Sequence, residues 1–422
     1  MKKNARKTSN NQVKSAPEER TLWLARCLRR SLYEFVIDEG MKAFDFLLEA
    51  ERTELCGPAY RKGKPDDPRR WGKTEGRLVM GGRRVVVRRP RVRKDGAEVA
   101  LPSWQEFADE DPLEKRTLEQ MMLGVSTRGY ERSVEPLPEE LGPHGASKSA
   151  ASRRFVNITE DAVNTWLQRD LSKLDIVVIM IDGIVVGDHT IVVALGIDAT
   201  STKHVLGLWQ GATENAVVCV ALLNNLIERG LDPQLGYLFV IDGGKALRAA
   251  IRDIFGKRAL VQRCQEHKRR NVLGHLPEHL HPSVSKSMRD AFRSSSKSAA
   301  TKRIQQLAQG LKENHPDAAA SLREGLDELF VLKDLGLPEW LERTLSTTNP
   351  IENLNGTIRR LTRNVKRWRD GSMVRRWVGA SIIEAQPRFR RLRGHKGMPL
   401  LLAALGRKTE RTTRIDQQRS AA

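Results

Sequence analysis

Five short apolar runs between residues 174 and 264 frame the middle of the chain. Leu174–Asp182, Ile191–Gly196 and Lys203–Trp209 follow one another closely, joined by Gly187-Asp188-His189-Thr190 and Asp198-Ala199-Thr200-Ser201. Those joints have turn composition, so the pattern predicts three strands in hairpin succession. Residues 214–229 then change period, with Val217, Val218, Leu222, Leu223, Leu226 and Ile227 on one helical face and Gly230 ending it. A fourth strand, Tyr237–Ile241, leads through Asp242-Gly243-Gly244 into a helix at Lys245–Phe255, and Ala259–Cys264 reads as a fifth strand.

This order lets the first and fourth strands lie side by side. It is the arrangement of an α/β ribonuclease H-like core, although pattern alone leaves other α/β folds open. Periodicity elsewhere is helical. Residues 21–55 carry apolar faces (Leu22, Leu28, Leu32, Phe35, then Met41, Phe44, Leu48), and 113–172 read as three helices, starting near Leu113, Ser126 and Ser147. Residues 284–345 are wholly helical in pattern, and 350–404 form a last, basic helical stretch. The expected organisation is a basic disordered tail (1–20), an N-terminal helical and hairpin region (21–110), and a helix-turn-helix-like region (111–172). A catalytic core in two parts (173–283 and 346–404) follows, separated by an all-helical insertion (284–345), with a disordered tail at 405–422.

Charge changes the picture most. Of 422 residues 73 are Lys or Arg and 52 Asp or Glu, a net charge of +21, so a polyanion is the expected partner, and nucleic acid the commonest one. Residues 61–95 hold fourteen Lys or Arg against four acids. Within them apolar and basic positions alternate around Gly81-Gly82, which predicts a hairpin with an arginine-covered face bearing Arg83, Arg84, Arg88 and Arg89. Arg153 and Arg154, at a helix start behind small polar residues, suit a recognition helix in a DNA groove, with an ordinary helical linker as the alternative. No apolar run reaches the roughly 20 residues that span a bilayer. The basic start lacks the apolar segment of a secretory signal. Four scattered cysteines (Cys27, Cys56, Cys219, Cys264) without a CxxC pair fit a reducing compartment, so a cytoplasmic, nucleoid-associated protein is expected.

Three acids stand out against this background. Asp182 and Asp242 each end a buried-looking apolar run, and Glu352 opens the helix at Asn349-Pro350-Ile351-Glu352. Carboxylates at the ends of hydrophobic strands are poorly solvated and repel one another, so they call for a cation. Hard oxygen donors select Mg²⁺, with Mn²⁺ as a substitute, and ions so held serve in-line displacement at phosphorus. Each acid has a plainer explanation. Asp-Gly is a common hairpin-turn dipeptide, and Asn349 to Glu352 reads as a capping box in which Glu352 reaches back to the cap amide. Asp188, Asp198, Glu339 and Glu342 compete for the same role. Cys264 and His267 offer too few ligands for a structural zinc site. Arg359, Arg360 and Arg363 follow Glu352, and 359 and 363 share its helical face, where they would hold phosphates.

Four segments in order carry a resemblance: Ile181-Asp182-Gly183, Val240-Ile241-Asp242-Gly243-Gly244-Lys245-Ala246-Leu247, Arg263-Cys264-Gln265-Glu266-His267-Lys268-Arg269-Arg270-Asn271-Val272 and Thr348-Asn349-Pro350-Ile351-Glu352-Asn353-Leu354-Asn355. Together, over roughly 110–400, they resemble the Mutator-type transposases of bacterial insertion sequences. The resemblance implies a DDE recombinase with a ribonuclease H-like core interrupted by helices. It implies Asp182, Asp242 and Glu352 as catalytic metal ligands and Cys264, His267 and Asn353 as supporting motif residues; Lys268, by its charge, is counted among the DNA contacts. It further implies double-stranded DNA, terminal inverted repeats and target, as substrate, and a homodimer or higher oligomer on that DNA. A nuclease or resolvase without strand transfer, and a non-catalytic DNA-binding protein, remain the alternative classes.

Overall fold

A computed structural model describes residues 32–60, 64, 66–80, 82–109, 112–135, 137, 144–211 and 216–407. The expected tail at 1–20, and the final one beyond residue 407, lie outside them. The chain divides into two units: residues 1–121 with 125–155, and residues 122–124 with 156–422.

In the first unit, helix α1 (Leu32–Cys56) precedes strands β1 (Arg69–Met80), β2 (Arg83–Lys94) and β3 (Ala97–Val99), which form an antiparallel sheet in that order. The predicted hairpin is present, with Met80 paired to Arg83 across the turn and Gly82 in the left-handed region. Val85, Val87 and Val92 of β2 pack with Leu78 against Phe44 and Leu48 of α1. Helices α2 (Pro102–Asp109), α3 (Pro112–Met122) and the one-turn α4 (Tyr130–Ser133) follow, then α5 (Lys148–Gln168), which belongs to the second unit from residue 156 on. Ser126 accepts from the Gly129 amide in a turn, so the helix expected to begin there starts later and is shorter.

The second unit holds a five-stranded mixed sheet: β4 (Ile176–Val186), β5 (His189–Asp198), β6 (Lys203–Gly211), β7 (Tyr237–Ile241) and β8 (Ala259–Arg263), in the order β6-β5-β4-β7-β8. The first three pair antiparallel, and β4, β7 and β8 are parallel. The first and fourth predicted strands are thus neighbours. Helices α6 (Ala216–Glu228) and α7 (Lys245–Phe255) cover one face of the sheet, where Ile179, Ile181, Val192 and Phe239 meet Leu222, Leu226 and Ile251. From Gln265 the chain is helical: α8 (Gln265–Gly274), α9 (His281–Phe292), α10 (Lys297–Leu311), α11 (Pro316–Arg323), a 3-10 stretch at Leu326–Leu335, and α12 (Glu339–Leu345). Ala291, Ala300, Ala308, Ala318 and Ala319 let these helices approach closely around Met288, Ile304 and Phe330. This excursion is closed at its base, because the Gln265 amide donates to the Ser346 carbonyl at 2.9 Å. It is also tied to β8: the buried Gln262 amide donates to the carbonyls of Arg263 and Leu329, each at 2.8 Å. Helices α13 (Asn349–Thr362), α14 (Gly371–Ala385) and α15 (Met398–Ala404) complete the unit. Ile351, Leu354 and Ile358 of α13, with Val374, Val378 and Ile382 of α14, pack on the other sheet face against Val178, Met180 and Val240. The single basic stretch expected at 350–404 is therefore three helices.

The predicted end of the first strand needs correcting. Strand β4 runs past Asp182 to Val186, with Asp182 opposite Val193 and Gly183 opposite Val192 on β5. Asp182-Gly183 is no turn, and the chain reverses at Gly187 instead. What ends at Asp182 is the parallel neighbour: β7 pairs with β4 only as far as Ile181–Ile241.

Among the described residues no helix is long and apolar enough to cross a membrane.

Candidate active site

Strand parity fixes where the first two acids point. On β4, Val178 and Met180 belong to the core beneath α13, while Ile179 and Ile181 face α6 and α7. Side chains alternate, so Asp182 falls on the α13 side. On β7, Leu238 and Val240 face the same way, and Asp242 continues their parity. Ile181 and Ile241 are register partners, so the two acids leave adjacent parallel strands about 4.8 Å apart at the backbone. Asp242 is held by its own turn, accepting the Gly244 amide on Oδ1 at 2.9 Å. Gly243, at φ +104, is required there: a Cβ would lie 2.1 Å from the Arg263 side chain.

Helix α13 brings the third acid over the sheet. Thr348 caps it with its backbone carbonyl, which accepts the amides of Ile351 and Glu352 at 3.0 and 2.9 Å, and Pro350 lies in the first turn. The capping-box reading of Glu352 does not hold. The cap is Thr348 instead of Asn349, and the Glu352 Oε1 accepts the Thr348 hydroxyl at 3.1 Å. Its carboxylate also lies 3.6 Å from His267 Nδ1 and, through Oε2, 3.4 Å from Arg270 Nη2.

The residue that joins α13 to the strand acids is Asn355, one turn after Glu352. Asn355 is 1% exposed and donates from Nδ2 to Asp182 Oδ2 at 2.8 Å. Asn353, the expected supporting residue, is exposed. A spacing of three from Glu352 was the available signal for Asn355, since i and i+3 share a helical face.

Cys264 and His267 stand behind Glu352. Cys264 Sγ accepts the His267 amide at 3.5 Å, the Thr348 amide at 3.4 Å and the Thr348 hydroxyl at 3.3 Å. Burial opposes ionisation of the thiol, but hydrogen bonds from His267 and Thr348 outweigh it and hold Cys264 below its ordinary value. His267 is raised above its ordinary value, first by the hydrogen bond to Cys264 and, against burial, by the charges of Cys264, Glu352 and Asp182. Donor atoms of Cys264, His267 and Glu352 lie within 4.8 Å of one another. Three ligands are one short of a structural zinc site.

The strand acids themselves fit a hard divalent cation. Burial, then the neighbouring Asp242 carboxylate, push the Asp182 carboxyl above the usual carboxylate range. Two carboxylates so placed are stabilised by a cation between them. Asn355 Oδ1 is buried without a hydrogen-bond partner, an oxygen donor beside them.

The expected DNA contacts divide. Arg359, Arg360 and Arg363 on α13 are exposed, as are Arg88 and Arg153. Arg89 is half-buried over the Trp104 ring and paired with Glu98 at 3.0 Å. Arg83 donates to the carbonyls of Glu135 and Glu131, and Arg84 and Arg154 are half-buried. Lys268 does not belong with them. It is 0% exposed, and its Nζ donates to the carbonyls of Ser321 and Glu324 at 2.6 and 2.7 Å. Position 268 shares an inward face with Val272, which places it inside the helical excursion.

Known sequences resemble the chain over most of its length. Residues 29–391 match the family described as Transposase, Mutator family. The chain is 26% identical over 371 residues to the transposase for insertion sequence element IS1081 of Mycobacterium tuberculosis, covering 85% of this chain and 86% of that one. It is 26% identical over 352 residues to the transposase for IS256 in transposon Tn4001 of Staphylococcus aureus, covering 81% and 87%. To the transposase for IS6120 of Mycolicibacterium smegmatis it is 28% identical over 249 residues, covering 58% and 75%. With most of its length inside that match, the chain belongs to the Mutator family of transposases.

Proposed function

We propose that this protein is a DDE transposase that binds the terminal inverted repeats of its insertion sequence, cuts DNA there and joins the freed 3′-OH to target DNA. The observation that carries the reading is the meeting of Asp182, Asp242 and the Glu352 helix on one face of the sheet, with Asn355 bonded to Asp182. Strand order and the helical excursion support a ribonuclease H-like core with an all-helical insertion before the last acid. Asp182, Asp242 and Glu352 would hold Mg²⁺, or Mn²⁺ in its place. The ion supplies charge neutralisation at the scissile phosphate and a more acidic nucleophile.

The remaining work falls to the chain. Asn355 holds one oxygen of Asp182 and leaves the other for the ion. Arg359 and Arg363, seven and eleven residues beyond Glu352, hold phosphates flanking the cut. Arg88 and Arg153, exposed in the first unit, offer that unit's own basic groups to duplex DNA. Two element ends must be handled, so a homodimer or larger assembly on DNA is part of the proposal.

The test is Mg²⁺-dependent cleavage of the element's own end by wild type, Asp182→Ala, Asp242→Ala and Glu352→Gln. Cleavage must vanish in the variants while repeat binding persists. Pre-cut ends must yield joined product; nicking without joining would leave a nuclease.

A further inference from the structure

Thr348 occupies the capping position of α13, where a threonine hydroxyl ordinarily accepts an amide of the first turn. Here it makes no such bond. The residue is 0% exposed, and its hydroxyl lies 3.1 Å from Glu352 Oε1, 3.2 Å from His267 Nδ1 and 3.3 Å from Cys264 Sγ. We propose that Thr348 is a positioning residue that aims the Glu352 carboxylate into the site, and this rests on the reading of Glu352 as the third acid.

The argument is one of stiffness and competition. Glu352 has a long flexible side chain with two nearby attractions. Arg270, on a half-exposed side chain, draws Oε2 from 3.4 Å toward solvent. Thr348 holds the other oxygen, Oε1, at 3.1 Å. Thr348 itself cannot follow Glu352 outward. Its amide is bound to Cys264 Sγ at 3.4 Å, its carbonyl accepts two amides of α13, and its β-branched side chain is stiff at χ1. A hydroxyl has one proton, so it donates to one acceptor at a time while its lone pairs stay open to a neighbouring donor. Cys264 Sγ, a weak acceptor, competes for that proton with the stronger carboxylate acceptor, and His267 Nδ1 lies against the hydroxyl at 3.2 Å.

The experiment measures Mn²⁺ affinity of the full chain by calorimetry, alongside the Mg²⁺ dependence of end cleavage. Loss of a residue that orients a metal ligand weakens binding by about 10–100-fold. Thr348→Val should therefore lower Mn²⁺ affinity about tenfold or more and raise the Mg²⁺ needed for half-maximal cleavage by a similar factor. Thr348→Ser, which keeps the hydroxyl, should restore both. Repeat binding and melting temperature should stay close to wild type, which a merely structural role would not allow. If valine fails to pack, Thr348→Ala carries the same comparison. Equal Mn²⁺ affinity in wild type and Thr348→Val, with loss in Glu352→Gln, overturns the role of Thr348 alone. Equal affinity in wild type and Glu352→Gln overturns the reading of Glu352, and with it this inference.

Discussion

Asn355 reaches Asp182 across 173 residues of sequence, donating from Nδ2 to Oδ2 at 2.8 Å. Through this side-chain bond α13 touches a strand acid, and the bond leaves the Asn355 side-chain carbonyl oxygen buried and unpartnered. Asn355→Ala removes the donor that orients Asp182. Mg²⁺-dependent cleavage should fall by about 10–100-fold with repeat binding retained, as followed by gel assays on the two activities.

Asp182 is held above the usual carboxylate range by burial and by Asp242, so its charged form costs stability when no cation is present. Asp182→Asn should raise the melting temperature of the metal-free protein by about 2–4 °C, the shift for about 1 kcal/mol in a domain of this size. The same variant should lose cleavage. A calorimetric scan that finds it less stable than wild type would contradict the repulsion.

Asp198 competed for a catalytic role, yet its carboxylate is fully used by a turn. Oδ1 accepts the amides of Thr200 and Thr202 and the Thr200 hydroxyl, and Oδ2 lies 2.8 Å from His204 Nε2. Burial opposes its ionisation, but the hydrogen bonds from His204, Thr200 and Thr202 outweigh it and hold the carboxyl low. A depressed acid stabilises above its unfolded pKa, and that gain disappears as pH falls through the folded value. Asp198→Asn should cost about 1–2 kcal/mol at pH 7, with the gap to wild type closing below about pH 3.9. Cleavage should be unchanged.

Burial lowers Lys268 to about 8. The folded protein then releases this proton at lower pH than the unfolded chain, so wild-type stability should rise between about pH 8 and 10.4. Lys268→Met should lack that rise. At pH 7 relief of the buried charge offsets the donor that the Ser321 and Glu324 carbonyls lose, so stability there should change little. Affinity for DNA should not change; urea titrations at several pH values and a binding isotherm check both.

Arg359 and Arg363 are exposed on the face of α13 that carries Glu352. Each alanine substitution should reduce the salt dependence of repeat binding by about 0.9 in the log–log slope. Arg83→Ala should act instead on stability, since Arg83 is spent on the carbonyls of Glu131 and Glu135.

Local pattern was enough to find the strands, because alternating burial and turn residues are written within a few positions of one another. The Gly81-Gly82 hairpin and the pairing of the first and fourth strands followed from it. Asp182 was legible as a charge in an apolar run, but its place within β4 was not. The end of a run reflects where the neighbouring β7 stops, a fact of register rather than of local sequence. Asn355 and Thr348 stand in the motif around Glu352, but their roles were hidden for a related reason: the partners that reveal them lie 173 and 84 residues away. Lys268 was misread because composition counts a lysine as surface charge, whereas the inward face of α8 claims it for backbone carbonyls.

The bond from the Gln265 amide to the Ser346 carbonyl has a consequence for how such a chain can change over time. A segment that departs and returns through one closed gate adds no new span for the sheet to accommodate. Helices can be gained, lost or exchanged within it while the spacing between strands and α13 stays fixed, so long as an acceptor remains for Gln262. Beyond α8, which sets His267 and Arg270 against Glu352, the region between Asp242 and Glu352 is therefore the natural cassette of this fold, where new surfaces can be grafted without disturbing the side chains beside it.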